Sequence, residues 1–142
     1  MTVVRLDYRM VREAIRRHLL QLKEVQGLPV HWEGRDFAQP DPEQTKVWLR
    51  ENIFPEQTMQ VASNVEEYLA TYQLEILAPI GRSETGEDLV TAIKNHFKPA
   101  HSLVAINGSG IHIVRSGPGL VQEQPPWISR PVLINFRTHG LI

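Results

Sequence analysis

The chain has 142 residues, a formal net charge of −1 and no cysteine. That length suits one domain, read as 1–142, with a core large enough to stand without metals or bridges. The missing cysteines exclude disulfide scaffolds, thiol nucleophiles and thiolate metal sites, and the near-neutral charge argues against general nucleic-acid binding, which draws on a surplus of Lys and Arg.

The net charge conceals a gradient. Residues 1–25 carry six Lys/Arg against three Asp/Glu, net +3. Residues 26–70 carry three against eight, net −5, and the remainder six against five, net +1. A chain polarised in this way can associate head to tail, its basic region on a neighbour's acidic region, or it can simply present two solvated faces.

In chain order the first element is a helix. Val4, Tyr8, Val11, Ile15, Leu19 and Leu22 form one apolar stripe at helical spacing, Thr2 or Asp7 is the candidate cap, and Gly27 before Leu28-Pro29 ends it. Arg5, Arg9, Arg12 and Arg16 follow the same spacing as a basic ridge, with no aromatic residues interleaved for base stacking. Pro29–Trp32 reads as a short strand and Glu33–Gln44 as an irregular acidic loop. In the segment TKVWLRENIF, Val47, Leu49 and Ile53 alternate with Trp48, Arg50 and Asn52, which predicts a strand ended by Pro55, and Thr58–Ala62 predicts another. Ser63–Glu67 is the polar connection to a long strand over Leu69–Ala78, stopped by Pro79 and Gly81.

The period then changes. Leu89, Ile93 and Phe97 lie four apart on a second helix, with Ser83 or Thr85 as N-cap and Glu87 and Asp88 in its first turn. HSLVAIN and IHIVR flank Gly108-Ser109-Gly110 as a hairpin. Ser116-Gly117-Pro118-Gly119 breaks the pattern, Val121–Gln124 is a brief extended piece, and Pro125-Pro126 breaks it again. A last strand carries Val132, Ile134 and Phe136 on one face, beginning after Pro131 or lying at an edge because proline cannot donate to a ladder. This order predicts an α+β single domain: a mostly antiparallel mixed β-sheet with two helices packed on one face.

No chemistry stands out. The six histidines match no metal-ligand spacing, and His31 and His112 alternate with apolar neighbours while His96 and His101 flank Pro99. Ser109 in GSG lacks the strand-to-helix context of a nucleophile elbow, and a hairpin turn explains both glycines. The turns Gly81–Gly86 and Gly117–Gly119 match neither dinucleotide nor P-loop patterns, and Glu84, Glu87 and Asp88 would repel an anion at the second helix. Carboxylate pairs such as Glu66-Glu67 belong to solvated turns, and Trp32, Trp48 and Trp127 suit core or subunit interface. The expectation is therefore no enzyme: no catalytic, cofactor-binding or metal residue and no cofactor. The other class left open is a small cytosolic ligand-binding or enzymatic α+β domain using the turn Ile80–Glu87 and the open sheet face. The N-terminal MTVVRLDYRM lacks the apolar run of a secretory signal, and no apolar run is long enough to span a membrane, so synthesis in the cytosol is expected.

The order of REAIRRHLLQL, VHWEGRDF, KVWLRENIFP, YQLEILAPIG, a helix ending in HF, a hairpin and VLINFRTH resembles the tail terminator and minor tail proteins of long-tailed bacteriophages. The likeness covers nearly the whole chain, and it rests on apolar periods, aromatics and glycines rather than on a short signature. The stretch Gly117–Pro131 departs from it, being longer and more interrupted than a terminal hairpin requires. The resemblance implies a viral structural protein of a phage or prophage, present in the host cytoplasm during assembly and in the virion tail thereafter. It implies a ring-shaped homo-oligomer, a hexamer in the assembled tail, that terminates tail growth and contributes to head-tail joining. Its partners would be itself, the tail tube protein and a head-tail connector protein, with no membrane and no sequence-specific nucleic acid. Candidate subunit-interface residues are Arg5, Arg9, Arg12, Arg16, Trp48 and Arg50, the ridge meeting the acidic segment Glu33–Glu67 of a neighbour. Candidate partner-binding loop residues are Arg82, Ser83, Glu84, Gly117, Pro118 and Gly119, in two surface loops expected to be mobile until they dock.

Overall fold

A computed structural model describes residues 5–44, 47–81, 84–99, 102–105 and 107–141. The element order is α1 (Tyr8–Leu20), β1 (Val30–His31), β2 (Trp48–Ala62), β3 (Val65–Pro79), α2 (Glu84–His96), β4 (Ser102–Val104), β5 (Gly110–Pro118), β6 (Gln122–Gln124) and β7 (Trp127–Leu141). The α+β single domain read from the sequence is present. Its seven strands form one mixed sheet in the order β1-β2-β3-β7-β5-β4, with β6 paired to the start of β7. Among the described strands β1 runs parallel to β2 and the other strand pairs are antiparallel.

The frame is three strands of 15 residues each, β2, β3 and β7. Strand β3 lies between the other two and pairs with β7 along its whole length, from Val65↔Leu141 to Pro79↔Trp127. Its even-numbered residues from Tyr68 to Ala78 join buried residues of both helices, among them Val11, Ile15, Leu19, Leu89 and Ile93, in one hydrophobic cluster. Each fully buried Leu or Ile in that cluster contributes on the order of 1.5–3 kcal/mol through removal of apolar surface from water. The odd-numbered residues face the other way, where Trp48, Leu77 and Trp127 make a second, smaller cluster under Phe37.

Three prolines sit inside strands that the sequence pattern ends at them, and the backbone explains why. Strand β2 runs straight through Pro55, merging the two predicted strands into one. The Leu49 and Ile53 N–H groups point away from β3, to Pro29 O at 3.0 Å and to Glu33 Oε2 at 2.5 Å. Pro55 has the same parity, and β1 covers only Leu49 and Arg50, so the missing donor faces an open edge. A bulge follows between Pro55 and Gln57. Pro131 lies well inside β7, which begins four residues before it rather than after it. Its carbonyl accepts from Gly119 N at 2.8 Å, so its nitrogen also faces that side, where the neighbouring chain passes from β5 to β6, and the ladder to β3 is intact. By the same parity Pro118 turns its nitrogen away from β7. Strand β5 therefore continues through Gly117 and Pro118, and most of the expected loop 116–131 is strand, the β6–β7 turn carrying a cis Pro125-Pro126 peptide.

Helix α1 begins later than its stripe implies. Asp7 is the N-cap, with extended φ −129° and ψ 105°, and its carboxylate accepts from Arg9 N at 3.0 Å and Met10 N at 3.2 Å. Arg5 is not on the helix; it makes a parallel bridge to Leu141, and Leu6 N donates to Leu141 O at 3.2 Å. Gly140 permits this approach, since a Cβ there would lie 2.5 Å from the Leu6 nitrogen. Val4 and Thr2 lie outside the described residues. In α2, Thr85 is inside the helix and so is not its cap, while Ser83 lies outside the described residues. Gly86 is buried, and a Cβ there would meet Arg130 Cδ at 3.4 Å and Ile76 Cγ2 at 3.6 Å, so α2 sits close on the sheet.

Candidate assembly surfaces

Two Arg–Glu clusters occupy opposite faces of the sheet, started by adjacent residues of β2. On the α1 side, the Arg16 Nε donates to both carboxylate oxygens of Glu51, at 3.0 and 2.9 Å, and its Nη2 also bonds Glu51 Oε1. The Tyr72 hydroxyl donates to Glu51 Oε2 at 2.5 Å, and the Glu33 N–H to Oε1 at 3.2 Å. The Glu51 side chain is fully enclosed. The hydrogen bond to Glu51 holds the Arg16 guanidinium above its ordinary pKa despite burial, while burial and then the Glu51 charge push the Tyr72 phenol well above its own. Trp32 caps the group, its ring centroid 5.1 Å from the Arg16 guanidinium carbon.

On the opposite face Arg50 reaches across to its register partner Glu75, Nε to Oε2 at 2.5 Å and Nη2 to Oε1 at 3.1 Å. Ser129 Oγ adds a bond to Glu75 at 3.0 Å, and Arg50 Nη2 also donates to Gln124 Oε1 at 2.9 Å. Burial raises the Glu75 pKa, but the Arg50 bond and charge, with Ser129 and Gln124, outweigh it and leave the carboxyl below its ordinary value. Every oxygen of both carboxylates is thus committed to internal partners. These are structural ties.

The candidate interface residues scatter accordingly. Arg5 and Arg9 are exposed and Arg12 half-buried, but Arg16 is only 6 % exposed and turns inward. Trp48 is buried against Trp127, ring centroids 5.8 Å apart at 81°, and Arg50 serves Glu75. The ridge and the acidic segment do meet, but at Arg16–Glu51 within one chain. Of the loop candidates, Arg82 and Ser83 lie outside the described residues, Glu84 opens α2, and Gly117, Pro118 and Gly119 line the end of β5 against β7. A Cβ on Gly119 would stand 2.9 Å from Pro131 Cγ, so packing there is tight.

The sequence reading missed Glu51. Its signal was parity: it shares the inward face with Leu49 and Ile53, and a carboxylate on an apolar face requires a partner. The two helix C-termini are also joined, a tie no spacing could show. The rings of His18 and His96 stack at 3.9 Å, and each Nε2 donates to the other residue's carbonyl, at 2.8 and 2.6 Å.

Two open concavities lie on the described surface. One of about 400 Å³ is lined by Glu13, Arg16, Arg17, Leu20, Trp32 and Arg35, and one of about 470 Å³ has an apolar floor of Leu28, Val47, Leu89 and Ala92 with Glu24 and Asp88 at its rim. Among the described residues, no group of three or more His, Asp or Glu is placed to hold a metal ion, and no helix is long and apolar enough to cross a membrane.

What such a surface is for is decided by comparison. A family model described as phage tail terminator protein matches residues 10–136. The chain belongs to the phage tail terminator family. Its role is that of a phage tail protein, a structural class whose members interact with other tail or head-tail proteins. A solved structure superposes with a TM-score of 0.74 over 94 % of this chain and 96 % of the other, at 19 % identity, a level at which the likeness shows the fold alone. No curated protein matches the chain.

Proposed function

We propose that this tail terminator assembles as a cyclic homo-oligomer, a hexamer, on the finished end of the tail tube, where it stops tube growth and presents the surface on which the head joins. Family membership across residues 10–136 carries the reading. The fold agrees with it in kind: the two Arg–Glu clusters on either side of the sheet are internally matched, which suits a rigid building block more than a catalyst. Both helices cover one face of the sheet in this reading, leaving the other face and the two sheet edges to partners. Those partners are further copies of the chain, the tail tube protein and the head-tail connector protein, met in the host cytoplasm during assembly of a phage or prophage virion. Exposed Arg5 and Arg9, with Arg12, supply a basic surface at the N-terminal end of α1, and Glu84 and the Gly117–Gly119 end of β5 offer contacts to the tube or the connector.

The test is tail assembly with and without the protein. Tubes polymerised in its absence are expected to have a broad length distribution and to remain headless, and addition of the purified chain is expected to cap them as rings visible end-on by electron microscopy. Tubes of unchanged length that join heads without it would overturn the reading.

A further inference from the structure

The sheet order β1-β2-β3-β7-β5-β4 leaves two edges, and they differ in charge while sharing exposed apolar side chains. At the first edge, β1 covers only Leu49 and Arg50, so the rest of β2 has β3 on one side and no strand on the other among the described residues. Phe54, Met59 and Val61 stand there 49 %, 41 % and 50 % exposed. Among the described residues, the loop that leaves β1 carries exposed Glu33, Asp36, Asp41 and Glu43 against Arg35. Its attachment to the edge is direct, through the Ile53 N–H on Glu33 Oε2.

The second edge has the opposite character. Val104 on β4 is 64 % exposed and Val114, at the β5 bulge, 52 %. Exposed Lys94 and Arg115 lie beside it: the Lys94 carbonyl accepts from Ser116 Oγ at 3.3 Å, fixing the end of α2 next to β5, and Lys98 is on the connection from α2 to β4. Arg17 lies between the two edges, lining one concavity with Ser102, Leu103 and Val104 and another with Trp32 and Arg35. The carboxylates of this side are at its far end: Glu87 of α2, paired to Arg130 beside Pro118 and Gly119, and Glu123 on β6, which pairs with the opposite end of β7 from the one β4 approaches.

We propose that the β2 edge of one subunit docks on the β4–β5 edge of the next, acidic against basic. This rests on the ring reading above and specifies its contact. The occupant is a second copy because the complementary charges stand on opposite ends of one sheet. That arrangement makes a heterologous contact, which propagates from subunit to subunit rather than stopping at a pair, and the ring of the proposed function is its closed form. Unpaired strand edges with exposed apolar residues are natural docking templates, and Pro55 with the adjacent bulge limits how far β2 can add to an arbitrary strand.

A charge exchange tests it. Lys94→Glu/Lys98→Glu/Arg115→Glu makes both edges acidic, and Asp36→Lys/Glu43→Lys makes both basic; these five residues are exposed, and circular dichroism checks that each variant folds. At a concentration where the wild-type chain is assembled, by sedimentation and native mass spectrometry, each variant alone is expected to associate at least about tenfold more weakly, since like charges face each other across the contact. An equimolar mixture of the two is expected to recover cyclic oligomers in which they alternate. Wild-type-like rings from either variant alone, or no recovery in the mixture, would overturn the edge contact while leaving the ring. A wild-type chain that stays monomeric both free and on tail tubes would remove the ring reading and this contact together.

Discussion

Arg16–Glu51 and Arg50–Glu75 are made of the same two residue types, start from neighbouring positions of β2, and end with different physical roles. The first is sealed between α1 and the sheet, with Glu51 fully enclosed and Arg16 nearly so. The second lies on the face without that cover, where 27 % of the Arg50 side chain remains exposed. Enclosure raises both the attraction and the cost of losing a partner, so the inner pair fixes where α1 sits, whereas the outer pair braces a cross-strand register that the backbone ladder already holds.

That contrast is broken most severely by removing the inner carboxylate. Glu51→Ala leaves a buried guanidinium and a buried phenol without their acceptor and is expected to destabilise the chain by about 3–5 kcal/mol in urea unfolding. Tyr72→Phe removes one bond to the same carboxylate and is expected to cost about 1–3 kcal/mol, because Glu51 loses a hydrogen bond in a place water does not reach.

Gly140→Ala tests the other anchor of α1, the Leu6 approach to β7. The new methyl meets backbone rather than a flexible side chain, so a loss of about 1–3 kcal/mol is expected, read as a lower thermal midpoint. Asp7→Ala removes the N-cap and is expected to cost about 1 kcal/mol.

The outer pair is read through pH. Glu75 has its pKa lowered in the folded chain, so its contribution is present above the unfolded carboxylate value of about 4.3 and is lost as pH falls through the lower folded value. Glu75→Gln is therefore expected to lower stability modestly near neutral pH and to converge on wild type down the acid limb, which it flattens; a curve parallel to wild type through that limb would deny Glu75 that role.

The periodic parts of the fold were legible in the sequence because burial enforces them. The Leu89–Ile93–Phe97 stripe and the hairpin at Gly108 appear where their patterns put them, Gly108 at φ +89°, while the strand expected over Leu69–Ala78 starts earlier, at Val65, and takes in most of the expected connection Ser63–Glu67 because β7 pairs with it there. Prolines misled because the rule concerns a missing donor, and which way a residue's nitrogen points depends on register, a tertiary fact. Pro55, Pro118 and Pro131 all turn that nitrogen from an intact ladder, so two strands became one and a supposed loop became sheet. The basic ridge misled in a related way. Arg16 flanks the buried arc of Val11, Ile15 and Leu19, and the feature that draws it inward, Glu51, is 35 residues away along the chain. The opposed charge of the two sheet edges was likewise invisible, since residues 33–43 and 94–115 acquire their positions only once the strand order is known.

Hydrogen exchange on the free chain and on the same chain capping tail tubes bears most directly on the ring and its contact. The account predicts that amides of Phe54–Val61 on β2 and Ser102–Val104 on β4 gain protection together on assembly, while the β3 interior, already laddered on both sides, changes little. Unaltered exchange at both edges in capped tubes would contradict it.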